Sequence, residues 1–318
     1  MLSACQLRPT HELSKPDVKL QEEFTQAPQP VLAPDHWWEA YDDSQLNRLV
    51  TISLKENQQL KAAWFRLRQV EAQAKRLRSQ KVPQINLSSD ASWTRTKRHE
   101  AAPTSFVTTK SDRTSDLYSF GPSLTYEVDL WGRIKAQSEA GALRVKATSK
   151  DTHATALALS GSITELWFRA LEQEELLALI ASQSQLNQDF LELTELRFGL
   201  GEGSALDVMQ QRQLLAATQS KLPPVQSTLE SSQLQLATLC GLEPTADLGV
   251  NFKSGLPKLP DFPRLPSSSE LLHMRPDLQA AWLRMQAIDQ DVAAAVAERL
   301  PKLSLSLSYA VNAGDLGR

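Results

Sequence analysis

The chain alternates between two hydrophobic periods. From Ser44, a suitable N-cap, Leu46, Leu49, Val50 and Leu54 recur at helical spacing, and a second helical stretch covers about Gln58 to Lys81. Pro83 ends this first helical region, 44–83. The period then drops to two: Ile85, Leu87, Ala91 and Trp93 alternate with Asn86, Ser88, Asp90, Ser92 and Thr94, which predicts a strand with one wet face. A polar stretch over 95–116, with Lys97, Arg98, His99, Lys110 and Arg113, predicts a long charged loop. Alternation resumes with Tyr118, Phe120, Leu124, Tyr126 and Val128 on one face and Ser119, Gly121, Ser123 and Thr125 on the other, so 84–128 is a strand hairpin. Aromatics opposite small hydroxyls suit a membrane barrel with lipid outside and water inside, but a soluble sandwich alternates in the same way.

From Gly132 to Phe198 no proline breaks a helical pattern, and about 66 residues at 1.5 Å each extend roughly 100 Å. Leu179, Leu186, Leu193 and Leu200 recur at steps of seven. Gly199-Leu200-Gly201-Glu202-Gly203-Ser204 then interrupts the helix, and Val208, Leu215, Leu222, Leu229 and Leu236 continue at the same step. This predicts a long antiparallel coiled-coil hairpin over 129–241, with its tip at 199–204 and Arg197 and Asp207 placed to pair across it. Pro223-Pro224 should kink the returning helix, or break and restart it, and Gly241 suits its C-terminal cap. Prolines at 244, 257, 260, 263 and 266 mark 242–266 as an extended connector, and prolines at 9, 16, 28, 30 and 34 mark 6–43 as an extended N-terminal arm.

An internal repeat organises these pieces. Leu60-Lys61-Ala62-Ala63-Trp64-Phe65-Arg66-Leu67 returns as Leu278-Gln279-Ala280-Ala281-Trp282-Leu283-Arg284-Met285, an offset of 218 residues without a gap. Pro83 maps on Pro301. After Pro301, Leu303, Leu305, Leu307, Tyr309 and Val311 alternate with Ser304, Ser306 and Ser308, predicting a third strand within a second copy that starts over 267–318. By the same offset a complete second copy needs about 140 further residues, so the expectation is a C-terminally incomplete chain. Three such strands cannot close a barrel, and open edges are not tolerated in lipid; closure needs further strands and further chains.

Composition narrows the chemistry. With 41% hydrophobic and 22% charged residues the chain folds, and a net charge of -3 offers no basic field for nucleic acid. The basic run Arg66, Arg68, Lys75, Arg76, Arg78 and Lys81 reads as a solvated helix face near a C-terminus. No window is apolar over the roughly 18 residues that a spanning helix requires, so any crossing would use strands. Five scattered histidines lack ligand spacing, Ser160-Gly161-Ser162 lies inside a helix, and neither a phosphate loop nor a dinucleotide fingerprint occurs. The reading is of no enzyme, no metal and no cofactor. Cys240 reads as a small core residue, whereas Leu2-Ser3-Ala4-Cys5 has the form of a lipobox over 1–5, with Cys5 as the candidate lipid anchor.

Several motifs then agree on one family. Trp37-Trp38 before Tyr41, Asp42, Leu46 and Leu49, Tyr126-Glu127-Val128-Asp129-Leu130-Trp131-Gly132-Arg133, Arg197-Phe198-Gly199 through Gly203-Ser204-Ala205-Leu206-Asp207-Val208, Leu222-Pro223-Pro224 and Arg275-Pro276-Asp277-Leu278 occur in order. Together with the duplicated layout, they resemble the TolC-like outer-membrane efflux factors in their lipoprotein, NodT-type branch. The resemblance implies long helical hairpins forming an α-barrel, joined to a twelve-stranded β-barrel in a homotrimer. It also implies a lipid-anchored place in the outer membrane of a Gram-negative bacterium, a periplasmic adaptor, and an inner-membrane pump of the resistance-nodulation-division type. On that resemblance Gly199, Leu200, Gly201, Glu202, Gly203, Ser204, Leu206 and Asp207 dock the adaptor. Asp129, Leu130, Trp131, Gly132 and Arg133 form the barrel–tunnel junction, and Tyr118, Phe120, Leu124, Tyr126 and Val128 face lipid. A channel for ABC-type protein secretion and a pore-less coiled-coil tether anchored at Cys5 are the alternatives.

Overall fold

The computed structural model describes residues 36–101, 108–260, 270–271 and 274–314. Cys5, most of the 6–43 arm, the centre of the 95–116 segment and the end of the 242–266 connector lie outside them. The described chain forms two compact units, one of Gln69–Lys146 with residues from Trp282 onward, the other of residues up to Arg68 with Ala147–Ala281.

The helical unit is built on α1 (Ser44–Glu56), the start of α2 (Gln58–Ser79), most of α3 (Arg133–Gly199), α4 (Ala205–Gln219) and α5 (Leu222–Leu239). Its main core gathers Trp38, Leu46, Leu49, Val50, Leu60, Ile163, Trp167, Leu171, Leu236 and Cys240. The polar ends of these side chains are also satisfied. Asp43 caps α1 by accepting from the backbone of Gln45 and Leu46, and its second oxygen accepts the Trp167 indole N–H at 2.8 Å. Asn57 accepts from Leu60 N and donates to Leu239 O at 2.9 Å, which ties the start of α2 to the end of α5. Cys240 is buried against the Ser53 hydroxyl at 3.2 Å, and burial raises its thiol pKa above the ordinary value.

Two segments expected to be extended are more ordered. Trp37–Tyr41, at the end of the predicted arm, is a 3-10 helix, and Phe252–Ser254 inside the connector is another. Both bring aromatic rings to the same core: Tyr41 packs on Phe168 and Phe252 on Trp167. Burial of aromatic surface outweighs the local preference for open backbone.

Pro223-Pro224 restarts the helix rather than kinking it. Helix α4 ends at Gln219, and α5 begins at Leu222 with proline in its first turn, where the missing N–H costs nothing.

The second unit holds one antiparallel sheet. β1 (Gln84–Ala101) pairs with β2 (Thr108–Val128), and β2 pairs on its other side with β3 (Leu303–Ser308) and β4 (Val311–Gly314). The ladder between β1 and β2 runs through most of the segment expected to be a loop, from Arg95↔Thr114 to Ala101↔Thr108. Alternation of apolar side chains stops there, but ladder bonds join backbone groups and do not require it. The predicted third strand is split in two without any change of register, since Ser123↔Ser308 and Phe120↔Val311 belong to one alignment. The interruption falls opposite Pro122, which accepts from Tyr309 N at 3.1 Å but has no N–H to return.

Helix α6 (Pro276–Ala297) begins and ends at the positions that the 218-residue offset maps from α2. The duplication seen in sequence is therefore a duplication of structure.

Candidate functional site

Register sorts the sheet into two chemically distinct faces. Ile85 lies opposite Leu124, Ala91 opposite Tyr118, Tyr126 opposite Leu305, Leu124 opposite Leu307 and Phe120 opposite Val311. Directly opposed residues share a face, so Tyr118, Phe120, Leu124, Tyr126 and Val128 lie with Ile85, Leu87, Trp93 and the leucines of β3. Ile85, Leu87, Trp93, Phe120, Leu303, Leu305 and Leu307 are all exposed in the single chain. Trp93 meets Tyr118 edge-to-face at 6.1 Å, near the end of this belt. The opposite face carries Asn86, Ser88, Asp90, Ser92, Ser119, Ser123, Thr125, Glu127, Ser304, Ser306 and Ser308.

The junction motif between β2 and α3 is explained residue by residue. Arg133, with a side chain only 14% exposed, donates to both carboxylate oxygens of Glu127 at 2.7 and 2.8 Å and to Gln137 at 3.2 Å. Asp129 accepts from the backbone of Ile134 and Lys135, satisfying two N–H groups of the first helical turn. Gly132 takes φ +77°, a left-handed conformation that glycine adopts without strain. Leu130 is exposed, and Trp131 donates its indole N–H to Pro301 O at 2.9 Å, reaching the second copy of the repeat. A polar cleft of about 550 Å³ beside this junction is lined by Leu77, Gln84, Thr125, Glu127, Arg133 and Asp291. Sequence reasoning had missed the Glu127–Arg133 pair; opposite charges flanking a strand-to-helix turn were the available signal.

At the other end of α3, Gly201 at φ +77° donates to Phe198 O while Glu202 N donates to Arg197 O at 2.9 Å. This is a Schellman closure. A Cβ at Gly203 would sit 3.3 Å from Phe198 N, so the turn has little room there. Ser204 then caps α4: its hydroxyl accepts from Asp207 N, and Asp207 accepts from Ser204 N and Oγ. These bonds hold the Asp207 carboxyl below the usual range, the hydroxyl contributing most. Asp207 is thus engaged locally. The ion pair across the hairpin is Arg212–Glu195 at 2.7 Å, not the expected Arg197–Asp207, because the capping box claims the aspartate first. Leu200, Glu202, Leu206 and Gly199 are exposed around this turn.

The coiled-coil seam also differs from the expected one. Val208 and Leu215 are buried at 6% and 9% exposure, but against Leu191; Leu179, Leu186, Leu193 and Leu200 remain 62%, 54%, 50% and 67% exposed. The inner seam of α3 is Ile180, Asn187 and Leu191, and Asn187 donates to Thr218 Oγ1 at 2.9 Å inside it. The leucine heptad forms a second apolar stripe on α3.

Among the described residues no helix is long and apolar enough to cross a membrane, and no cluster of His, Cys, Asp and Glu could hold a metal ion. The sheet has one apolar and one hydroxyl-rich face, the alternation found in strands of bacterial outer-membrane proteins. The chain belongs to the outer membrane efflux protein family, whose pattern matches residues 49–242. It is 31% identical to the pyoverdine export outer membrane protein OpmQ of Pseudomonas putida, over 91% of this chain and 61% of that one. It is 25% identical to the probable efflux pump outer membrane protein TtgC of the same species, over 100% of this chain and 66% of that one. Among solved structures, the outer-membrane channel OprN superposes with a TM-score of 0.77 at 26% identity, covering 98% of this chain and 73% of that chain. The chain therefore spans about three fifths of the length of OpmQ.

Proposed function

We propose that the protein is a subunit of a passive export duct in the outer membrane, working with a periplasmic adaptor and an energised inner-membrane pump, and that it does no catalysis of its own. The observation that carries this reading is the sorting of the sheet. Its apolar face is uncovered from Ile85 to Trp93, a length of strand comparable to the roughly 9–11 residues with which a tilted strand crosses a bilayer. In this reading Tyr118, Phe120, Leu124, Tyr126 and Val128 face lipid, and the serine-rich face lines water. A pore-less tether would have no use for such a face.

The exposed stripe Leu179, Leu186, Leu193 and Leu200 supports assembly with further copies, here proposed as a homotrimer, because apolar heptads left open to water seek a partner helix. The tip from Gly199 to Asp207 is proposed as the adaptor contact and Cys5 as the lipid anchor. Drugs, metals or other small molecules are the proposed cargo; relatives named for pyoverdine export and efflux favour small-molecule efflux over protein secretion. The test is to express the intact gene in a strain lacking its own channel and measure drug or metal tolerance. Restored tolerance is expected. Protein correctly inserted in the membrane without restored tolerance overturns the reading.

A further inference from the structure

The polar face of the sheet is nearly uncharged where its side chains are described, and its two acids have different fates. Glu127 is consumed by Arg133, which donates to both of its oxygens. Asp90 stands at the middle of β1 opposite Ser119, exposed, between Ser88 and Ser92, with no hydrogen bond or ion pair among the described residues. Aspartate is depleted in strands, and nothing in the ladder requires it here. Hydroxyl and amide side chains around it offer no opposing charge. Arg98 and Arg113, the next basic positions of the hairpin whose register follows this face, lie about 20 Å or more along the strands, beyond the screening length at 0.1 M salt.

We infer that Asp90 sets the charge preference of the duct, forming a ring of carboxylates on the water side of the barrel that favours cationic over anionic solutes. This rests on the trimeric barrel proposed above. Three carboxylates about 12 Å from the axis of such a barrel, with a Debye length of about 10 Å, favour a monovalent cation over an anion by roughly two- to three-fold. The preference grows at lower salt and vanishes near 1 M, where screening acts over about 3 Å.

The experiment uses the intact protein in planar bilayers under a potassium chloride gradient, reading the reversal potential. The unsubstituted channel is expected to show the cation preference, Asp90→Asn to abolish it and Asp90→Lys to invert it, with little change in conductance. Conducting Asp90→Asn channels with an unaltered reversal potential overturn the role of Asp90 and leave the duct standing. Absence of any conductance from the unsubstituted protein overturns the duct and this inference together. To avoid dependence on insertion of a charge variant, Asp90→Cys is modified after incorporation with sulfonate- or ammonium-bearing thiosulfonates; the native Cys240 is buried, and the unsubstituted channel given the same reagents controls for reaction at Cys5. The sulfonate adduct is expected to prefer cations and the ammonium adduct anions. Identical selectivity in the two adducts overturns the proposal.

Discussion

The Trp131 indole N–H donates to the carbonyl of Pro301 at 2.9 Å, and Pro301 is the repeat equivalent of Pro83, the residue that ends the helical region before β1. One hydrogen bond thus joins the strand-to-helix turn of the first copy to the helix-to-strand turn of the second. Trp131→Phe keeps the apolar body and removes the donor. The expected loss is about 1 kcal/mol or slightly less, since the ring is partly exposed. Thermal unfolding of the purified protein checks this, and a Tm equal to the parent's would show that water replaces the indole without loss.

Two glycines in the helical unit should respond in opposite directions to alanine. Gly241, at φ +75°, closes α5, and a Cβ there would lie 2.6 Å from Glu56 O. Gly161 sits inside α3 with nothing within 4 Å of its Cβ position. Gly241→Ala should destabilise by about 1–3 kcal/mol, and Gly161→Ala should stabilise by about 0.5–1 kcal/mol. Denaturant midpoints of the two variants, measured side by side, decide it.

The two apolar stripes of α3 make different demands. Leu191→Ala opens a cavity in the small core with Val208 and Leu215, and should loosen the hairpin itself, costing about 2–3 kcal/mol. Leu186→Ser and Leu193→Ser alter only exposed positions and should leave the helicity of the chain unchanged while lowering the yield of assembled oligomer. Circular dichroism and cross-linking separate the effects. Full assembly of the double serine variant would remove the stripe from the interface.

The tip should weaken in acid. Asp207 is held below the ordinary carboxylate range by Ser204, so its contribution is complete above about pH 4 and is lost as the pH falls through the lowered value. Amide protection at Gly203 to Asp207, corrected for intrinsic exchange rates, should fall between pH 6 and pH 3. Asp207→Asn should show the weakened state at both values. Pronounced acid weakening in that variant would assign the effect elsewhere.

Much of this architecture was legible because repetition and period are strong signals. The offset seen between Leu60 and Leu278 extends to the limits of α2 and α6, and the alternation after Pro83 and Pro301 placed Tyr118 and Leu305 on one face. What escaped had physical causes. The charged residues beyond Trp93 hide a strand because a ladder is built from backbone. The leucine heptad and the true seam lie one residue apart on α3, Leu179 beside Ile180 and Leu186 beside Asn187, and a seven-residue period cannot by itself tell which stripe meets the returning helix. Asn187 was the missed clue, since a buried amide needs the hydroxyl that Thr218 supplies. Asp90 was read only as a polar position, although its charge set it apart from its neighbours.

The close approach at Gly121 remains. A Cβ on that glycine would lie 1.9 Å from Tyr309 O, so the strand of the second copy occupies the space that any larger residue would need. A slip of one residue along β2 would bring Phe120 or Pro122 to that point and turn the leucines of β3 toward the serine side. The alignment of one half of the duplication against the other is therefore keyed by a single hydrogen atom. Any larger residue at Gly121 would force the strand of the second copy to shift away from β2 at that point.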